Sequence, residues 1–172
     1  MNFINQIQIS ENNQGFYLTE FQLDSEVDNS YDSLIDQFIK SDRFTYDCLP
    51  EMIKKNKNNP DFYLRQLFDN EKISSFDFQR LDINGLIDFF DNYANHNDWG
   101  EDQEDFLKVY ADFKTKLSVN KSVDYFLLSK DSFNSDSEKI RNPEGWIYIY
   151  YFLVIWVDRQ EKKLLICEWN YD

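Results

Sequence analysis

Length, composition and net charge exclude several classes of protein. A chain of 172 residues that is 42% hydrophobic and 18% aromatic, with four glycines and three prolines, is typical of one folded domain and excludes a disordered chain. The net charge of −14, from 32 acidic and 18 basic residues, argues against nucleic acid and anionic membranes as partners.

The N-terminal residues predict a hairpin. Apolar residues alternate with polar ones at Phe3, Ile7 and Ile9, which is the pattern of a strand with one buried face. A second apolar run begins at Phe16, and the polar stretch before it predicts a turn that contains Gly15.

Helical spacing of apolar residues predicts four or five helices in the middle of the chain. They cover residues 30 to about 41, a short segment from Pro50, a segment from Asn59, residues 83 to about 95 and residues 101 to about 118. The last helix has an apolar face that includes Phe106, Tyr110 and Phe113. On its other face Glu104 and Lys108 form an opposite-charge pair one turn apart.

The C-terminal residues return to the strand pattern, first from Val123 to Leu128. Twelve consecutive apolar or aromatic residues then run from Trp146 to Val157, followed by a polar break and another apolar run. This pattern predicts a terminal hairpin whose first strand is buried on both faces. We therefore predict a single α+β domain over residues 1–172, in which N- and C-terminal strands form an antiparallel sheet and the central helices pack on it.

Export and membrane insertion are not indicated by the sequence. The start of the chain has neither the basic nor the apolar region of a secretory signal, and the apolar run from Trp146 is shorter than a membrane helix. Cys48 and Cys167 lie far apart beside apolar neighbours, which is typical of reduced thiols. We expect a cytoplasmic protein with no membrane partner.

No motif in the sequence identifies a reaction. The single histidine, His96, lies among asparagines in an expected loop, and neither a nucleophile nor an orienting carboxylate can be assigned to it. The two separated cysteines do not have zinc-ligand spacing, and the four glycines are scattered singly, so they do not form a phosphate loop. We therefore predict a protein that is not an enzyme, with no catalytic residue, no cofactor and no metal.

Residues 80–91 match part of the calcium loop of an EF-hand. The matching residues are Asp82, Asn84, Gly85 and Ile87. Arg80 stands where the loop needs a carboxylate, so we interpret the stretch as a turn at Asn84 and Gly85 that leads into a helix.

The strongest regional signal is negative charge in the middle of the chain. Between Asp61 and Phe113 there are thirteen acidic residues and four basic ones. Acids beside an exposed aromatic residue form a docking surface for a basic protein, since aromatic side chains supply binding energy and charge supplies association rate. The same acids could instead stabilise the start of a helix or keep the protein soluble. The predicted partner-binding residues are Asp88, Asp91, Asp98, Trp99, Glu101, Asp102, Glu104 and Asp105.

The chain resembles the small acidic immunity proteins of bacterial contact-dependent inhibition and related polymorphic toxin systems. The shared features are the acidic, Asn-, Lys- and Ile-rich composition, strands around a helical middle, and a C-terminal hairpin such as VIWVDRQEKKLLICEWNYD. The resemblance implies binding to a cognate toxin domain, often a basic nuclease, whose active site or substrate groove is covered. The alternative is an acidic DNA mimic that inhibits DNA-binding proteins.

Overall fold

The computed structural model describes residues 2–24, 30–40, 72–96, 99, 102–117, 123–129, 138–139 and 150–171. In chain order the elements are β1 (Asn2–Glu11), β2 (Gln14–Gln22), α1 (Tyr31–Ile39), a 3₁₀ turn (Ser75–Asp77), β3 (Gln79–Leu81), α2 (Ile83–His96), α3 (Gln103–Lys116), β4 (Tyr125–Ser129), β5 (Tyr150–Asp158) and β6 (Lys163–Tyr171). The chain contains two compact units, one formed by residues 1–27, 79–130 and 148–172 and the other by residues 28–78 and 131–147. The expectation of a single domain stays a prediction.

The first unit contains a six-stranded antiparallel sheet with the strand order β1-β2-β6-β5-β4-β3. The N-terminal and C-terminal hairpins are neighbours, because β2 pairs with β6 from Gln14 opposite Tyr171 to Gln22 opposite Lys163. The predicted α+β class and the antiparallel sheet built from both ends of the chain are therefore confirmed. The short strand β3 is an addition that the sequence pattern did not predict.

The first hairpin turns earlier than predicted. Its turn residues are Asn12 and Asn13, and Asn12 adopts a φ of 48°, a conformation that asparagine tolerates well. Gly15 lies within β2 opposite Ser10, so its expected place in the turn was wrong. A side chain at this position would bring its Cβ within 2.7 Å of the carbonyl oxygen of Ile9 on the neighbouring strand. The close approach of β1 and β2 therefore explains why position 15 is a glycine.

The terminal hairpin confirms the prediction for its described residues. From Tyr150 to Val157 every residue of β5 is buried, on both faces of the strand. Asp158 ends the strand, and its Oδ1 accepts hydrogen bonds from the backbone N–H groups of Gln160 at 2.9 Å and Glu161 at 3.0 Å. This side chain therefore fixes the turn that leads into β6.

Two helices of the first unit pack against the sheet and bury an aromatic core. Helix α3 contacts β1 and β2, and α2 contacts β3 and β4. The largest fully buried rings of this core are those of Phe16, Phe90, Phe106, Tyr110, Phe113, Tyr125, Tyr150, Phe152, Trp156 and Trp169. The expected burial of Phe106, Tyr110 and Phe113 on one face of α3 is confirmed. Cys167 is a buried free thiol in the same core.

Three of the predicted helices are present, as α1, α2 and α3, with ends within about two residues of those expected. The described residues thus contain three α-helices rather than four or five. The two further predicted helices, from Pro50 and from Asn59, fall outside the described residues, as does Cys48. His96, expected in a loop, is the last residue of α2. No helix among the described residues is long and apolar enough to cross a membrane.

The second unit contains α1 and the 3₁₀ turn, which are joined by a hydrogen bond. The backbone N–H of Ser75 donates to Asp36 Oδ1 on α1 at 2.8 Å. Ser30 caps the start of α1, where its hydroxyl accepts from the backbone N–H of Ser33 at 3.3 Å. The turn also presents Phe76, whose side chain is 90% exposed.

Candidate functional site

The predicted partner-binding residues that the structure describes fall on two helices and the segment between them. Asp88 and Asp91 lie on α2, Trp99 lies between the helices, and Asp102, Glu104 and Asp105 lie together at the start of α3. Asp98 and Glu101 lie outside the described residues. The structure therefore brings three of the predicted acids together and places two others on a neighbouring helix.

Asp88 and Asp91 are exposed because the apolar face of α2 points towards the sheet. Leu86 and Phe90 are fully buried, and this leaves the two aspartates on the solvent side, one helical turn apart. Within the described residues, no ion pair involves either carboxylate. They form a small negative surface that no basic side chain of the described residues neutralises through an ion pair.

Tyr110 of α3 lies close to these two carboxylates. Its hydroxyl donates to the backbone carbonyl of Ile87 at 3.1 Å. Burial raises the pKa of Tyr110 well above its usual value, and a hydrogen bond with the Asp91 carboxylate and the charges of Asp91 and Asp88 raise it further. Lys114 Nζ lies 4.1 Å from the centre of the Tyr110 ring. The phenol therefore stays neutral near physiological pH, and the negative potential here comes from the aspartates.

Asp102 forms hydrogen bonds with other parts of the protein. It precedes α3, but its side chain makes no capping hydrogen bond and instead accepts one from the Tyr171 hydroxyl of β6. This bond is the main cause of the raised pKa of Tyr171. The backbone carbonyl of Asp102 accepts from Gln14 Nε2 at 2.9 Å, and Gln14 Oε1 accepts from the Tyr150 hydroxyl at 3.0 Å. The start of α3 is thus joined to β2, β5 and β6.

The negative charges of Asp105 and Glu104 are partly offset by neighbouring side chains. Asp105 accepts a hydrogen bond from the side-chain amide of Asn12 in the first hairpin turn. Its Oδ1 lies 3.5 Å from Lys108 Nζ, and Glu104 Oε1 lies 3.1 Å from the same amine, which confirms the predicted pair of Glu104 and Lys108. The hydrogen bond to Glu104 is the main cause of the raised pKa of Lys108. Exposed pairs of this kind contribute little stability.

Trp99 is not an exposed docking residue. It is 8% exposed, and its ring packs against Tyr93, Phe106, Tyr150 and Tyr171. The expectation that it stands out from the acids as an aromatic anchor was therefore wrong, because the aromatic core takes up the ring. Its indole N–H has no hydrogen-bond partner within the part of the chain that the structure describes.

Residues 80–91 form the end of β3 and the first half of α2. Asp82 caps the helix, since its Oδ1 accepts from the backbone N–H of Gly85 at 2.7 Å. Asn84 and Gly85 lie in the first turn of α2, so the predicted turn before the helix was wrong. Among the described residues, no group of three or more histidine, cysteine, aspartate or glutamate side chains could hold a metal ion.

Sequence reasoning missed the polar residues that join α3 to the strands. They are Asn12, Gln14, Tyr150 and Tyr171. Their hydrogen bonds connect residues 69 to 136 positions apart in the chain, so no local pattern could have revealed them.

Comparison of the chain with protein-family models, curated proteins and solved structures gave no significant match.

Proposed function

We propose that this protein is an immunity-type inhibitor, which binds a basic toxin domain of the nuclease class and covers its substrate groove. The observation that carries the proposal is the exposed pair Asp88 and Asp91 on α2, without a cationic partner among the described residues, in a chain with a net charge of −14. Exposed Glu104 on α3 adds negative charge, which Lys108 partly offsets.

The physical basis is charge complementarity. A nuclease binds a polyanionic substrate and therefore lines its groove with basic side chains. Carboxylates held on rigid helices are attracted to such a groove and compete with the substrate for it. Steering by exposed charge raises association rates by about 10- to 1,000-fold, and the gain falls as salt rises.

The test uses as candidate partners the protein domains encoded by the genes next to the gene of this protein. The association rate of a domain that binds is measured in low and high salt with the parent chain and with the double variant Asp88→Asn/Asp91→Asn. The matched control, Glu11→Gln/Glu161→Gln, removes two exposed carboxylates elsewhere. We expect the α2 variant to associate several-fold more slowly at low salt, the control to change less, and the difference to shrink at high salt.

Two results would contradict the proposal. The first is a failure of all the neighbouring domains to bind. The second is equal binding to several unrelated DNA-binding proteins, which would favour the DNA-mimic alternative. An unchanged association rate in the α2 variant, with tight binding retained, would move the interface away from Asp88 and Asp91.

A further inference from the structure

The two edges of the six-stranded sheet are built differently. At one edge β3 is three residues long and carries Arg80, which forms an ion pair with Asp124 at 2.6 Å. Short length and charge are the features that usually keep a sheet edge from pairing with another chain. At the other edge β1 is ten residues long, has no basic residue and no proline, and carries one acid, Glu11, at its end.

Many side chains of β1 are exposed. Among the described residues there are four exposed large hydrophobic side chains, and two of them, Phe3 at 50% and Ile4 at 43%, are on this strand. Asn5, Gln8 and Ser10 are also exposed. Of the described strands, only β2 pairs with β1, in an unbroken register from Asn5 to Glu11. Among the described residues, no strand pairs with the far side of β1 from Ile7 to Glu11, and backbone groups on that side can pair with an additional strand.

We propose that β1 pairs antiparallel with β1 of a second copy of this chain, so that the two sheets become continuous. An antiparallel pair of identical strands is related by a two-fold axis, and the donors and acceptors of one edge match those of the other. β1 is a part of the surface that adds little to the charge repulsion between two copies. Two chains that each carry −14 repel one another, but Asn2 to Ser10 bring no like charges together. This proposal does not depend on the function proposed above.

Light scattering coupled to size exclusion, or sedimentation over a range of protein concentrations, tests the proposal on the full chain. The edge variant is Gln6→Glu/Gln8→Glu. If the two strands pair about Ile7, position 6 of each copy lies opposite position 8 of the other, and the variant places like charges opposite one another at two places. If they pair about Gln8, the two substituted side chains at position 8 face each other at the two-fold axis. The carboxylate at position 6 can still accept from Thr19 Oγ1, which lies 3.0 Å from Gln6 Nε2.

The matched control is Gln79→Glu/Gln160→Glu, which makes the same chemical change at two exposed positions away from β1. We expect the parent chain and the control to dimerise with the same affinity. Like charges directly opposite one another destabilise a strand pair, so the edge variant should have a dimer dissociation constant roughly tenfold higher. Circular dichroism spectra and urea midpoints of the three proteins establish that all are folded.

The proposal fails if the parent chain is a monomer at every concentration. An extended segment of a different protein as the occupant of β1 would give this result. It also fails if the parent dimerises and the edge variant and the control dimerise equally well, since the interface would then lie elsewhere.

Discussion

The hydrogen bond between Tyr150 and Gln14 gives the sharpest test of how the two ends of the chain are held together. Both residues are buried, at 0% and 2% exposure, and the Tyr150 hydroxyl donates to Gln14 Oε1 at 3.0 Å. Gln14 Nε2 donates in turn to the carbonyl of Asp102 at 2.9 Å. The substitutions Gln14→Met and Tyr150→Phe each remove one partner without a large change in volume, and together they form a double-mutant cycle.

The expected losses of unfolding free energy depend on which buried polar groups lose their hydrogen-bond partners. Gln14→Met leaves the Tyr150 hydroxyl and the Asp102 carbonyl without their bonds to this side chain, whereas Tyr150→Phe leaves Gln14 Oε1 alone. A buried polar group that loses its partner costs about 1–3 kcal/mol, so we expect each single variant to lose about that much unfolding free energy. In the double variant the hydroxyl and the amide are both absent. Its loss should therefore be smaller than the sum of the single losses by about 1 kcal/mol.

Urea unfolding followed by tryptophan fluorescence measures these differences, because Trp99 lies 5.6 Å from Tyr150 between ring centres. With a slope of about 2 kcal/mol per M urea, a loss of about 2 kcal/mol moves the midpoint by about 1 M. Strict additivity in the double variant, or a neutral effect of Tyr150→Phe, would refute the reasoning. Either result would mean that the bond does not couple β5 to β2.

Three further predictions concern the packing and the titration of the core. Gly15→Ala should cost about 1–3 kcal/mol in urea unfolding because its Cβ would lie 2.7 Å from a backbone carbonyl of the adjacent strand; a neutral result would mean that the strands can separate freely. Phe90→Ala, in the fully buried core, should cost about 3–5 kcal/mol, whereas Phe76→Ala, at 90% exposure, should stay within about 0.5 kcal/mol, and equal losses would contradict the burial pattern. Burial raises the pKa of Cys167 and Tyr110 in the folded chain, so the unfolded chain loses these protons first as pH rises. The stability from Cys167 begins to fall at about pH 8 and that from Tyr110 at about pH 10, near the pKa values of these groups in the unfolded chain, by up to about 1.4 kcal/mol per pH unit for each group; urea midpoints that stay flat to about pH 11 would contradict this.

Local periodicity explains which parts of the fold the sequence could predict. Apolar spacing of 3.6 residues located α2 and α3, and the uninterrupted apolar run located β5, because these signals depend only on neighbours in the chain. The same kind of signal failed at Gly15. Glycine is a frequent turn residue, but position 15 is a glycine for another reason: a Cβ there would be too close to the carbonyl oxygen of Ile9 on the adjacent strand. This close approach exists only when the two strands are paired.

In the candidate site too, features that depend on neighbouring residues could be predicted from the sequence, and features that depend on distant residues could not. Acids around Trp99 suggested an exposed aromatic residue, yet the ring is buried among aromatic side chains of α2, α3, β5 and β6. Tyr93 and Phe106 are close to Trp99 in the chain, but Tyr150 and Tyr171 lie more than about 50 positions away, so no local window contains all of these partners. By contrast, the exposure of Asp88 and Asp91 follows from the amphipathic pattern of α2 itself, so this part of the predicted surface could be located from sequence.

The structure also separates the acidic residues by the role that their carboxylates play, and this decides where binding should be tested. Asp102 accepts from Tyr171 of β6, while its backbone carbonyl accepts from Gln14 of β2. Reversal of its charge would place a cation or an unmatched donor beside these groups and would change stability before it changed association with a partner. Asp88 and Asp91 are exposed and make no ion pair among the described residues, although Asp91 also has a hydrogen bond with the buried Tyr110. Their neutralisation changes mainly the surface potential, and a urea midpoint equal to that of the parent chain establishes that the core is intact. A slower association caused by these two substitutions can therefore be attributed to the interface, whereas the same effect at Asp102 could not.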